Sequence, residues 1–219
     1  MQIFLQQPNV IQGVELVNNS TMQKTDMEHL SQWLAVELAA TLRGSKPSTI
    51  LSFANTRIWS LLTLWRKFGQ NVLEKTTIQF MTLRRTADKE IVLFFRRDIL
   101  EQCIVETSHS NFLQNHGYPV HMGLNACLDI LKKRFQHCCP HEVGVLLGIP
   151  LKDVLGFMGL TNLPLTCRGE WCIYGSPEKS LAAMQKYAAD RSLITCLLEK
   201  GVHASEIMQG NNEDLRYAV

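Results

Sequence analysis

The chain has 219 residues, 46% of them apolar, which fits one globular domain with short extensions. Its 22 basic and 20 acidic side chains leave a net charge of +2, which argues against a broad electrostatic surface for nucleic acid or an anionic membrane. No apolar run approaches the roughly 20 residues of a membrane helix, and the start, MQIFLQQPNVIQG, lacks the pattern of a secretion signal. Seven cysteines, an odd number, are typical of reduced thiols, so the expected compartment is the cytoplasm.

The first third of the chain predicts a tail followed by two helices. Residues 1–24 show no helical or strand period and are expected to form a poorly ordered tail, with at most one short element near its start. Thr25 and Glu28 form a capping box, which predicts that the first helix begins there. A second helix is expected from Asn55 to Phe68, because its apolar residues from Ile58 onward recur at helical spacing.

The middle of the chain changes to the period of a sheet. Thr77–Leu83 and Glu90–Phe95 are rich in β-branched and aromatic residues and flank a polar loop, which predicts a β-hairpin. The second stretch contains the run IVLFF, which is typical of a central strand buried on both faces. A short helix that begins near Asp98 and a turn-rich loop from His109 to Pro119 are expected to follow.

The second half of the chain predicts an amphipathic helix, a pair of short helices, a strand and a final helix. Apolar residues at helical spacing over Leu124–Phe135 indicate an amphipathic helix. Two short helices are expected between Pro140 and Gly159, since proline suits the first turn of a helix and glycine its end. Trp171–Tyr174 has the composition of a strand, and a final helix is expected between Pro177 and Gly201.

Together these elements predict an α+β fold, a helix-rich single domain with a small sheet of about three strands that includes the hairpin. The helices are expected on one face of the sheet, and a crossover connection leaves open whether the sheet is mixed. The domain is predicted to cover residues 25–201 and to be followed by a loose tail over residues 202–219.

Two blocks of the sequence resemble a known family. The first, TLRGSKPSTILSF, begins at Thr41. The second combines PHEVGVLLGIPLKDVLGFM with a Cys-x-Gly-x-Trp-x-x-Tyr-Gly pattern from Cys167 to Gly175 and a helix that opens at Pro177. In order and spacing they resemble the bacterial family called domain of unknown function 3793, which is common in anaerobic Firmicutes. The resemblance implies a fold-sized unit in a bacterial cytoplasm, and it implies no particular reaction or cofactor.

Two positions depart from the family pattern. Relatives often carry His-Cys-Ala-Pro where this chain has Glu37 to Ala40, and commonly a lysine at the position of Cys172. If the first block carries a site, the first departure alters that site in this chain.

The segment from Glu142 to Met158 has the rhythm of a helix-turn-helix DNA-binding motif. A recognition helix needs side chains that reach base edges and phosphates. The second helix, LKDVLGFM, offers one lysine, one aspartate and otherwise apolar groups or glycine. We therefore predict that Leu155, Phe157 and Met158 belong to a buried helical corner and do not lie against DNA.

Cysteine and histidine side chains are concentrated in the second half of the chain, which raises the question of a metal site. A structural zinc site takes four such ligands, often with two cysteines separated by two to four residues. Cys138 and Cys139 are adjacent, and Cys167 and Cys172 are further apart than usual, so neither pair has the expected spacing. If a metal binds, the predicted ligands are Cys139, His141 and Cys167.

Trp171 and Tyr174 are three residues apart on the predicted strand, so their side chains are expected to point to opposite faces. One of them is predicted to lie in the core and the other to line a site with Arg168. Arg168, Trp171 and Tyr174 are therefore the predicted ligand-binding residues.

Three classes of function remain open. The first is a non-enzymatic protein that binds a small ligand or a metal and has a regulatory role. The second is a protein-interaction module that docks a partner through an apolar helix. The third is an enzyme, but the sequence has no phosphate-binding loop or paired-carboxylate motif. Cys139 and His141 could be a thiol and its base, but side chains so close together at the start of a helix point in different directions. The sequence favours the first class and identifies no ligand, cofactor or oligomeric state.

Overall fold

The computed structural model describes residues 19–210, with side chains described from Lys24 onward. The predicted N-terminal tail up to residue 18 and the segment after residue 210 lie outside the described residues. The helices are α1 (Asn19–Glu37), α2 (Ala39–Leu42), α3 (Leu61–Leu73), α4 (Arg97–Val105), α5 (Thr107–Asn115), α6 (Leu124–Phe135), α7 (Val143–Leu146), α8 (Leu151–Phe157), α9 (Glu178–Glu199) and α10 (Ala204–Gln209). The strands are β1 (Ser48–Ala54), β2 (Ile78–Arg85), β3 (Lys89–Arg96), β4 (Leu165–Arg168) and β5 (Cys172–Tyr174), and a 3₁₀ turn covers Val120–Met122.

The main sheet has three antiparallel strands in the order β1-β3-β2. The predicted hairpin is confirmed as β2 and β3, with Phe80 opposite Phe94. The outer strand β1 is absent from the predicted map. The predicted strand at Trp171 belongs instead to a separate two-stranded ribbon of β4 and β5. The fold is therefore α+β, as predicted, and both sheets are antiparallel.

Helices cover both faces of the main sheet, not one face as predicted. Val92 and Phe94 of β3 face a core that includes side chains of α1, α3, α9 and α10. Leu93 and Phe95 face a second core that includes side chains of α4 to α8. Successive side chains of a strand point to opposite faces, so an almost wholly apolar strand requires a core on each side. The prediction that β3 is buried on both faces is confirmed.

The N-terminal boundaries of two helices differ from the predictions. Helix α1 begins at Asn19, so Thr25 lies inside it and does not cap it. Helix α3 begins at Leu61, after a turn in which Thr56 Oγ1 accepts hydrogen bonds from Ile58 N at 3.3 Å and Trp59 N at 3.0 Å. Side-chain oxygens of this kind compete with helical backbone bonds and favour turns. Ile58 lies in this turn and is 75% exposed, so it is not part of the apolar stripe.

The predicted loop from His109 to Pro119 is largely helix α5. Glu106 caps it by accepting a hydrogen bond from His109 N at 2.9 Å. A glutamate is a less common N-cap than serine or aspartate, so this helix start is hard to predict from the sequence.

The C-terminal part is packed further than predicted. Helix α9 runs without interruption to Glu199, and Gly201, with φ of +84°, follows its end as predicted. Helix α10 then buries Ile207 and Met208 in the first core. The chain from residue 204 to 209 is thus packed on the fold where the sequence predicts a loose tail.

The predicted helical corner is confirmed as α7 and α8. Leu155 and Met158 pack, partly buried, against the second core, and the ring of Phe157 lies edge-on to His141 with 5.1 Å between ring centres. Gly148 joins the two helices with φ of +75°, and a Cβ there would lie 2.6 Å from Tyr187 Oη. The corner is therefore held between the second core and α9. None of the helices between residues 19 and 210 has the length and apolar character needed to cross a membrane.

Candidate functional site

The side chain of Asp153 holds the β4–β5 ribbon against α8 and α9. Its carboxylate is buried and accepts hydrogen bonds from Trp171 Nε1 (3.0 Å), Tyr174 N (2.8 Å) and Ser180 Oγ (2.5 Å). Lys152 Nζ lies 2.6 Å from Asp153 Oδ1. Burial alone raises the pKa of Asp153, but the hydrogen bonds outweigh burial, so the pKa is lowered. Asp153 therefore fixes the position of the ribbon.

The structure places the three predicted ligand-binding residues in different surroundings. Tyr174 packs its ring over Gly156, where an added Cβ would lie 2.3 Å from Tyr174 Cγ. Trp171 is partly buried, and its ring centre lies 6.3 Å from that of Tyr187. Arg168 is exposed at the end of β4. Asp153 thus brings Trp171 and Tyr174 together through one carboxylate, whereas Arg168 stays at the surface.

The predicted metal ligands are not brought together. Cys139 is partly buried beside the helical corner, whereas Cys167 is exposed on β4. In the part of the chain that the structure describes, no three His, Cys, Asp or Glu side chains are placed to hold a metal ion. Burial, together with the neighbouring Cys138, raises the pKa of Cys139 to about 11, so its thiol is protonated at neutral pH.

An open depression of about 600 Å³ lies beside this segment, and it is lined by Arg134, His137, Cys138, Cys139, Pro140, His141 and Glu142. The buried carboxylate in its wall, Glu142, already pairs with Arg134 and accepts a hydrogen bond from Tyr118 Oη at 3.1 Å. Since this charge is satisfied, the depression offers a ligand mainly its exposed rim.

A second polar region lies where the loop between α2 and β1 meets α9 and the turn of the ribbon. We call it the charged cluster, and it consists of Glu37, Arg43, Lys46, Glu170, Tyr187, Asp190 and Arg191. Both sequence blocks that resemble the family contribute to it, the first through Arg43 and Lys46 and the second through Glu170. The turn of the ribbon lies over α9, since a Cβ on Gly169 would meet Met184 Sδ at 2.8 Å.

The two arginines of the charged cluster are paired with carboxylates. Arg43 Nε donates to Asp190 Oδ1 at 2.5 Å, and these side chains are only 12% and 8% exposed. Arg191 donates to both oxygens of Glu37, at 2.7 and 3.2 Å. The hydrogen bond to Glu37 raises the pKa of Arg191. Bidentate pairing of this kind fixes the direction of both side chains.

Lys46 differs from these arginines. Among the described residues no carboxylate lies within ion-pair distance of its ammonium, which is 5.5 Å from the centre of the Tyr187 ring. Burial lowers the pKa of Lys46, and the charges of Glu170 and Glu37 only partly offset this effect. Burial also raises the pKa of Tyr187 to about 12, and its hydroxyl donates to Gly148 O at 3.1 Å. Lys46 is thus a poorly solvated cation over an aromatic ring.

One oxygen of Asp190 is also unsatisfied. Asp190 Oδ2 is buried and accepts no hydrogen bond from any group in the described part of the chain. The charged cluster therefore contains a cation without an anion and, on the same side of α9, an acceptor without a donor.

Sequence reasoning missed most of this cluster. Lys46 lies in the block TLRGSKPSTILSF, and nothing in the sequence beyond the family resemblance of that block marks it as a site residue. Tyr187 lies within the predicted last helix, and no local pattern indicates its contact with Lys46. Asp190 and Arg191 pair with residues more than 140 positions away in the chain, so no local pattern reveals them.

Fold and site together define a helix-rich α+β protein with a polar site between the α2–β1 loop, the ribbon and α9. A scan against protein families matches residues 34–208 to the family described as "Protein of unknown function (DUF3793)". The chain belongs to this family, as its two sequence blocks predict. Searches of curated proteins and of solved structures found no match.

Proposed function

We propose that this protein is a non-enzymatic binding protein of the bacterial cytoplasm and that it binds a small organic carboxylate at Lys46, with a regulatory consequence. The observation that carries the proposal is the ammonium of Lys46, which belongs to a partly buried side chain, lies over the Tyr187 ring and has no ion-pair partner in the described part of the chain. A poorly solvated charge is destabilising unless it is paired. A bound carboxylate would supply the missing partner.

The surroundings of Lys46 favour a ligand with one negative charge. Glu37 and Glu170 are close enough to influence the pKa of Lys46, so a doubly charged phosphate would be repelled more strongly than a carboxylate. The partly buried ring of Trp171, which lies 6.3 Å from the buried ring of Tyr187, offers apolar surface for the body of such a ligand. Trp171 is shared with the predicted ligand-binding set, and Arg168 and Tyr174 remain secondary candidates.

Binding is favoured over catalysis by the state of the thiols. Cys103 Sγ lies 3.6 Å from His109 Nδ1, the geometry of a thiol beside an imidazole. Burial, however, raises the pKa of Cys103 to about 11, and the sulfur lies 3.5 Å from Val145 O as a donor. The thiolate is the nucleophile in cysteine chemistry, so a protonated, hydrogen-bonded thiol is a poor candidate.

The test is isothermal titration of butyrate into the wild-type protein and into two lysine variants. Lys46→Met removes the proposed contact. Lys67→Met is the matched control, because Lys67 Nζ also lies over an aromatic ring, Phe68 at 4.8 Å, but is exposed. We expect Lys46→Met to weaken binding at least about tenfold, since a hydrogen bond to a charged group contributes about 1.5–3 kcal/mol. Binding that survives Lys46→Met, or inorganic phosphate binding more tightly than butyrate, would contradict the proposal.

The alternative of a protein-interaction module has one observation in its favour. Leu160, Leu163 and Leu165 are 56%, 42% and 44% exposed around β4. They lie on a loop and a strand, not on the apolar helix that the sequence-based alternative requires. Concentration-dependent association in analytical ultracentrifugation that Leu165→Lys abolishes would favour this alternative.

A further inference from the structure

We propose that the ligand of the charged cluster carries, besides its carboxylate, an ammonium or hydroxyl group that donates a hydrogen bond to Asp190 Oδ2. This inference rests on the proposed function, and it narrows the ligand to small amino or hydroxy carboxylates.

Asp190 has one paired and one unpaired carboxylate oxygen. Its side chain is 8% exposed, and Oδ1 accepts a hydrogen bond from Arg43 Nε at 2.5 Å. Oδ2 is buried and has no donor among the described residues. Buried polar atoms in proteins nearly always have a partner, and a carboxylate oxygen accepts particularly strong hydrogen bonds. The missing partner of Oδ2 is therefore a donor, and a cationic donor matches its charge best.

Asp190 and Lys46 both lie along the same part of α9. Lys46 lies over Tyr187, and Tyr187 and Asp190 are three residues apart on α9. Residues at this spacing lie on the same helix face, about one turn apart. Arg43, which holds Asp190, comes from the same loop as Lys46. The cation and the free acceptor thus border one stretch of α9.

The Lys46 ammonium and Asp190 Oδ2 are complementary to the two ends of an amino carboxylate. The Lys46 ammonium can pair with a carboxylate, and Asp190 Oδ2 can accept a hydrogen bond from a donor group. Simple carboxylates such as butyrate satisfy the first group only. Amino carboxylates satisfy both groups, and they add no net charge to a cluster that already has three acidic and three basic side chains.

The experiment compares butyrate with 2-, 3- and 4-aminobutyrate by isothermal titration. These compounds share one carbon chain and differ only in the presence and position of the amine, so the series scans the distance between the two contacts. At least one aminobutyrate is expected to bind about tenfold or more tightly than butyrate. Equal or weaker binding of all three, with Lys46-dependent binding of butyrate, would overturn this inference and leave the proposed function standing.

Asp190→Asn separates the two contacts. The amide oxygen still accepts from Arg43 Nε, whereas the amide nitrogen replaces the free acceptor with a donor. The ratio of aminobutyrate affinity to butyrate affinity, measured within this variant, is expected to fall to about one. Circular dichroism and the thermal midpoint establish that the variant is folded. An unchanged aminobutyrate preference would show that Asp190 does not contact the amine.

A second variant, Asp190→Glu, tests the same contact while it keeps the negative charge that pairs with Arg43. Asp190→Glu keeps the charge and moves both oxygens by one methylene, so it is expected to change which isomer binds most tightly. The same preferred isomer with the same gain would overturn the inference. If none of the four compounds shows Lys46-dependent binding, the proposed function itself fails, and this inference fails with it.

Discussion

Replacement of Asp153 by asparagine tests the part of the structure that positions the ribbon. The carboxylate is 1% exposed and accepts from Trp171 Nε1, Tyr174 N and Ser180 Oγ, besides its contact with Lys152. In Asp153→Asn, one oxygen becomes an amide group that cannot accept. Two of the donors on that side then lose their acceptor.

The expected loss follows from these contacts. A buried donor without an acceptor costs about 1–3 kcal/mol. Lys152 is 25% exposed, so the lost ion pair is screened and adds little. For two donors the total is about 2–6 kcal/mol in the free energy of unfolding. Urea denaturation followed by circular dichroism and tryptophan fluorescence measures it.

Asp129→Asn is the matched control, because Asp129 is exposed on α6. A surface substitution of this kind is expected to change the free energy of unfolding by at most about 0.5 kcal/mol. If Asp153→Asn costs less than about 1 kcal/mol, Asp153 does not hold the ribbon, and the placement of Trp171 loses its support.

Two further predictions concern packing and thiols. Gly156→Ala is expected to lower the free energy of unfolding by about 1–3 kcal/mol, because its Cβ would lie 2.3 Å from Tyr174 Cγ; an unchanged urea midpoint would contradict this contact. Iodoacetamide at pH 8 is expected to modify the exposed Cys138 and Cys167 and to spare Cys103, whose pKa burial raises to about 11. Peptide mass spectrometry of the folded protein measures the labelling, and early modification of Cys103 would be inconsistent with its burial.

The sequence predicted those elements whose pattern is local. The run IVLFF predicts that β3 is buried, and the apolar stripe from Leu124 to Phe135 predicts the amphipathic helix α6. Both predictions are confirmed. The boundary of α3 could not be predicted from its apolar stripe, because Thr56 Oγ1 accepts hydrogen bonds from Ile58 N and Trp59 N and so holds a turn before the helix. Strand β1 was missed because it is an edge strand whose partner, β3, is distant in the chain.

The candidate site was mostly beyond prediction for the same reason. Trp171 belongs both to the predicted ligand-binding set and to the site that we propose, whereas the sequence shows its partner Asp153 only as the single acid of the LKDVLGFM helix. Lys46 and Tyr187 come together only when the α2–β1 loop packs on α9. Contacts between residues so far apart in the sequence depend on tertiary packing, which cannot be predicted from the periodicity of apolar residues.

The lowered pKa of Lys46 has a consequence for stability. Between the lowered pKa of the folded protein and the ordinary lysine value of 10.5, the unfolded state binds the extra proton. The contribution of Lys46 to the free energy of unfolding therefore rises as the pH rises through this window. A bound carboxylate favours the protonated amine, so its affinity is expected to fall as the pH rises through the pKa of Lys46 in the free protein.

Carbon-13 NMR of the lysine ε-carbons during a pH titration tests the central claim most directly, with Lys46→Met identifying the Lys46 signal. We predict that Lys46 titrates at lower pH than the other lysines and that saturating butyrate moves its pKa upward. A Lys46 signal that titrates with the exposed lysines, and that butyrate leaves unchanged, would contradict both its desolvation and its role as the site of carboxylate binding.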